Sequence, residues 1–145
     1  IKRNISDTAL EAKDIDEIIM GCVLPAGLGQ APARQSAIGA GIPNTSGATT
    51  INKMCGSGMK AIMFGNDSIV ARQNNIVVAG GIENMSSAPY ILPKAREGYR
   101  MGHSEVKDHM FLDGLEDDEV VDTEGDRWKK ADEYGDRSFM WEYHV

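Results

Sequence analysis

The sequence predicts an α/β fold in which short strands alternate with helices around a mainly parallel sheet. Two observations carry this. The runs Glu17–Leu24 and Ile76–Ala79 are short and nearly continuous in apolar residues, as in strands buried on both faces. Between them lie two stretches with helical signals, one opened by Pro32 and one following Gly56-Ser57-Gly58. The resulting order of strand, helix, strand, helix, strand calls for right-handed crossovers, and in such sheets chemistry gathers beyond the carboxyl ends of the strands.

The elements follow in order. Residues 1–12 begin within a pattern, with Ile1, Ile5, Ala9 and Leu10 on one face of a helix. Cys22 lies inside the first apolar run and reads as a core residue. Pro25 to Gln30 is a loop, and its GLGQAP lacks the spacing of a dinucleotide fingerprint. Pro32 opens a helix over Ala33–Ala40, closed by Gly41 and Pro43. Arg34 on this helix reads as a solvated or ion-paired side chain. The β-branched Thr49, Thr50 and Ile51 form the second strand. After the glycines, Met59, Ile62, Met63, Ile69 and Val70 recur at helical spacing, to about Arg72. Asn74-Asn75 then turns the chain into Ile76–Ala79, which stops at Gly80-Gly81.

Cys55 therefore sits where a strand becomes the first turn of a helix. Backbone N–H groups there lack helical partners, and the helix dipole brings partial positive charge. Both favour a thiolate, so Cys55 is the candidate nucleophile, and the flanking glycines leave room for another group to approach the sulfur. Glu83 stands at another strand end, either as an acid or base or, by the preferred reading, as an acceptor for backbone N–H groups of the loop. Residues 86–115 read as an irregular excursion with a short helix near Val106–Leu112. His103 and His109 lie at no familiar metal spacing and read as loop histidines. Lys94, Arg96 and Arg100 suit either an anionic substrate or a solvated surface.

Composition narrows the classes. The chain has 145 residues, enough for one domain with a core. Two cysteines, without a second pair, argue against a disulfide framework or a zinc site. No signal peptide and no membrane-spanning run is evident, so a reducing, cytoplasmic location is expected. The net charge of −7 is unevenly placed: residues 1–115 hold 11 acidic and 11 basic side chains, and residues 116–145 hold 11 and 4. Neither part is basic, so nucleic acid is not an expected partner.

INKMCGSGMKAI, followed by VVAGGIENMSSAPYILPKAREGYRMGH, closely resembles the thiolases, in particular the biosynthetic acetyl-CoA acetyltransferase type. DEIIMGCVLPAGLGQAPARQSAIGAGIP upstream agrees as well. The resemblance covers residues 1–117 and implies a thiolase-like N-terminal half, with βαβαβ connections in a mixed sheet. Residues 1–85 would be a partial core lacking the first strand, and 86–117 the start of the loop domain. Residues 118–145 depart from the family and form an acidic tail of different character. The implied chemistry joins two acetyl-CoA molecules into acetoacetyl-CoA, or runs the reverse thiolysis, with Cys55 carrying the acyl group and its own N–H helping to hold the oxyanion. Coenzyme A thioesters are the substrates; no separate cofactor and no metal is implied, and a homo-oligomer, dimer or tetramer, is expected.

The family's second half, with its activating histidine, second cysteine and water-positioning asparagine, has no counterpart here. The chain alone is therefore expected to lack turnover. Two alternatives stand beside this reading: a non-catalytic half acting as an assembly subunit, and another condensing enzyme such as a ketoacyl synthase.

Overall fold

The computed structural model describes residues 1–116. A short helix α1 (Lys2–Ser6) and a 3-10 turn (Ala12–Asp14) lead into strand β1 (Glu17–Gly21). Helix α2 (Pro32–Gly39), strand β2 (Gly47–Ile51), helix α3 (Ser57–Val70) and strand β3 (Val77–Gly81) follow. The excursion beyond β3 holds two short 3-10 turns, a two-residue antiparallel pairing of β4 (Tyr90–Ile91) with β5 (Lys107–Asp108), and helix α4 (His109–Gly114). The expected acidic tail, 118–145, lies outside the described residues.

The sheet has strand order β2-β1-β3, and both pairings are parallel. Among the described residues, the mixed sheet that the resemblance implies is represented by its parallel part. β1 is central, which explains why its run is apolar on both faces. Its Ile18 and Met20 face α2, forming a core with Ala33, Ala37, Ile15 and Ile42, and Val78 packs against the same cluster. Gly21, on the opposite face, meets α3. The chain leaves β1 on one side, returns on the other, and uses opposite faces for its two helices. That is what two crossovers of the same hand require.

α2 begins at Pro32 as expected, because proline has no N–H to leave unpaired in a first turn. Gly41, at φ +87°, takes the chain out of the helix in a conformation that suits glycine. Arg34 is not a freely solvated side chain, and among the described residues it makes no ion pair: its guanidinium donates to the Ser46 carbonyl at 2.8 Å, tying α2 to the turn before β2.

α3 departs from what its apolar stripe suggests. The residues it turns inward are small: Ser57, Ala61 and Gly65 are buried. A Cβ on Gly65 would lie 3.2 Å from Val77, so the helix axis runs close to β3. Met59, Ile62, Phe64 and Val70 face outward, at 71%, 59%, 41% and 73% exposure. Sequence period locates a stripe, but here close backbone approach, not side-chain size, decides which face meets the sheet.

The amino ends of the strands are tied by Asp16. Its carboxylate accepts from the N–H groups of Asn75 (2.7 Å) and Ile76 (3.0 Å), while its carbonyl accepts from Gly47 N–H at 2.8 Å. The backbone bonds from Ile76 and Asn75 hold the Asp16 carboxyl below its ordinary value of 3.8. A carboxyl depressed on folding stabilises the native state above its unfolded value, and that contribution is lost as pH falls through the folded value. Asp16→Asn is therefore expected to lower stability at neutral pH and to flatten the acid limb of a denaturation-versus-pH curve. An unchanged acid limb would contradict this role.

Candidate active site

The turn between β2 and α3 is built by its own polar groups. Asn52 Oδ1 accepts from Met54 N–H at 2.9 Å, and Gly56 N–H donates to the Lys53 carbonyl at 3.0 Å. Ser57, buried at 4% exposure, uses its hydroxyl twice: Lys53 N–H donates to it at 2.7 Å, and it donates to the Met54 carbonyl at 2.6 Å. Met54 adopts φ +46°, a left-handed backbone. These bonds present Cys55 at the surface, immediately before Gly56, the N-cap of α3. The helix that follows has 14 residues, enough for its N-terminal partial charge to act on a neighbouring anion. Lys53 and Lys60 add positive charge at this end. Partial loss of solvent, and then Lys60, hold the Lys53 ammonium below its ordinary value.

Gly21 lets α3 start so close to the strand ends. A Cβ on Gly21 would lie 2.4 Å from the Ser57 carbonyl carbon and 2.6 Å from Gly58 N, which no side chain tolerates. Gly58 in turn lies against Gly81: a Cβ there would be 3.6 Å from Gly81 N. Close packing thus requires glycine at position 21, while a Cβ on Gly58 of the motif would meet only ordinary contacts.

Glu83 takes the structural role preferred from sequence. Its two carboxylate oxygens accept from Val23 N–H (2.9 Å) and Leu24 N–H (3.0 Å), closing the exit of β1 onto that of β3. Asn52 Nδ2 donates to the Val23 carbonyl at 3.3 Å, so the exit of β2 joins the same cluster. Cys22, 2% exposed, lies with its sulfur 4.0 Å from Glu83. Burial, and then the Glu83 charge, push the Cys22 thiol up, so it stays protonated and inert. The structure separates the two cysteines: one is core, the other is presented.

The remaining candidates lie apart. Lys94, Arg96, Arg100 and His103 are exposed in the excursion. His109 is not a loop residue: it opens α4, is 6% exposed, and pairs through Nδ1 with Asp113 one turn on. The i,i+4 spacing of His109 and Asp113 was the available signal. Asn52 and Ser57 had none, since their partners exist only once the turn closes. Among the described residues, no group of three or more metal-ligating side chains is present, and no helix is long and apolar enough to cross a membrane.

This contrast gives a direct expectation. Iodoacetamide at neutral pH should alkylate Cys55 and leave Cys22 unmodified in the folded chain, with Cys22 reacting only after denaturation, as peptide mapping would report. Equal labelling of both in the folded state would contradict the placement.

Comparison with known proteins gives the family of this fold. Residues 1–126 match the family model described as thiolase, N-terminal domain. Over 117 residues the chain is 52% identical to the acetyl-CoA acetyltransferase of Pseudomonas aeruginosa and 51% identical to that of Cupriavidus necator. In each case the match covers 81% of this chain and 30% of the relative, so the chain spans under a third of their length. The crystal structure of Acat5 thiolase from Ascaris suum in complex with coenzyme A superposes with a TM-score of 0.75 at 37% identity, covering 96% of this chain and 35% of that one. The chain belongs to the thiolase family, matching its N-terminal domain.

Proposed function

We propose that this chain supplies the nucleophile of a thiolase, an acetyl-CoA C-acetyltransferase, and that Cys55 is the residue acylated. The observation that carries this is the exposed Cys55 at the start of α3, in contrast to Cys22, which is buried. The Cys55 sulfur attacks the thioester carbonyl of acetyl-CoA. A new C–S bond forms, the bond to the coenzyme A sulfur breaks, and coenzyme A leaves as its thiol. The Cys55 N–H and the N-terminus of α3 favour the oxyanion of the intermediate. Transfer of the acetyl group to the α-carbon of a second acetyl-CoA gives acetoacetyl-CoA; the reverse sequence is thiolysis. The activation lies in the thioester itself, so coenzyme A thioesters are substrates and no separate cofactor is called for.

The general base and the group that deprotonates the second substrate belong to the part of the thiolase fold that this chain does not span. Alone, the chain takes up an acetyl group slowly and does not turn over. A cytoplasmic setting suits an unpaired, reactive thiol.

A second reading is favoured by the exposed face of α3. Met59, Ile62, Met63 and Val70 form an apolar strip that a partner or a second copy would cover, consistent with an assembly role and a homo-oligomer.

Intact-mass spectrometry after incubation with acetyl-CoA separates the readings. Gain of one acetyl group by the parent chain, and none by Cys55→Ala, is the expected result. No acetyl gain, with self-association in sedimentation, would remove the nucleophile reading and leave the assembly role.

A further inference from the structure

We infer that Ser57 is a positioning residue for Cys55, holding the backbone of Met54 in the left-handed conformation that sets where the thiol is presented. This rests on reading Cys55 as the nucleophile. A residue with a Cβ disfavours φ +46°, so something must hold Met54 there. The contacts around it show what does. The Met54 carbonyl accepts both from the Ser57 hydroxyl, at 2.6 Å, and from Ser57 N–H, at 3.0 Å. Met54 N–H is held from the other side by Asn52 Oδ1 at 2.9 Å. Ser57 also accepts from Lys53 N–H, so its one hydroxyl bonds both residues that precede Cys55.

A serine at a helix start commonly caps the free N–H groups of the first turn. Ser57 does not: the N-cap is Gly56, no side chain among the described residues caps this helix, and the hydroxyl bonds back into the turn. Nor can Ser57 shift toward the sheet, because its backbone already occupies the space where a Gly21 side chain would be. Its hydroxyl is therefore fixed from below and spans the turn above. Without it, Met54 relaxes to a negative φ and turns Cys55 away from the first turn of α3, whose partial positive charge favours an attacking sulfur anion.

The test is the rate of iodoacetamide alkylation of Cys55 in the full chain, with buried Cys22 as internal reference. Ser57→Ala is expected to slow it about tenfold, the size of one lost buried hydrogen bond. Adding Met54→Gly to that variant restores the rate, because glycine adopts the left-handed conformation without help. Asn52→Ala, at an exposed position, is expected to show the same loss and the same rescue, and it stands in if Ser57→Ala does not fold. Parent-like rates in the single variants would overturn the proposal. So would a slow double variant, which would mean that Ser57 acts only through packing. Iodoacetamide needs no acetyl-CoA, so a chain that fails to acetylate yet keeps this pattern refutes the acetyl-transfer reading alone. A chain that acetylates without Ser57 dependence refutes only the positioning role.

Discussion

The absence of a side chain at Gly21 is the constraint on which the rest of this structure depends. The last residue of the central strand lies so close to the start of α3 that a Cβ would fall 2.4 Å from Ser57 backbone. With Gly58 against Gly81, it forms a corridor in which a helix N-terminus rests directly on two strand ends. Any larger residue at Gly21 would lift the helix, and with it the turn that carries Cys55. Overpacking of this kind costs about 1–3 kcal/mol where neighbours can yield, and here the neighbours are backbone.

Two acidic residues hold the sheet at its ends. Asp16 gathers the amino ends of all three strands through backbone N–H and C=O groups, and Glu83 gathers the exits of β1 and β3. Because Asn52 joins the Glu83 cluster through Val23, the turn that carries Cys55 is anchored to the sheet twice, once by packing and once by hydrogen bonds. The opposite face of α3 is apolar and exposed. Covering a Met, Ile or Phe side chain contributes roughly 1.5–3 kcal/mol. Several such residues lie open there, in a chain that spans 30% of its bacterial relatives.

Much of this was legible beforehand, for identifiable reasons. β1 and β3 declare themselves because a strand covered on both faces has no polar alternation to confuse with surface. Proline at Pro32 and glycines around Cys55 mark the helix starts, and they put the cysteine at a strand-to-helix turn, where the structure has it. Cys22 was legible as core from its apolar neighbours. The orientation of α3 was not, because the inward residues, Ala61 and Gly65, carry almost no hydrophobic signal, while the exposed ones carry a strong one. Arg34 was read as a solvated or ion-paired group since its partner, the Ser46 carbonyl, comes into reach only in the fold, and His109 was read as a loop histidine although Asp113 stands four positions on. The resemblance to thiolases, read over residues 1–117, is borne out by a family match over residues 1–126, which runs past the position where the sequence was read to leave the family.

The central claim is that Cys55 is the nucleophile of a thiolase whose remaining machinery lies outside this chain. The most direct measurement is thiolysis of acetoacetyl-CoA by this chain, alone and mixed with a polypeptide supplying the complementary part of a bacterial relative. The account predicts no turnover alone, turnover on mixing, and its loss with Cys55→Ala. Turnover by the chain alone, or turnover that survives Cys55→Ala, would contradict it.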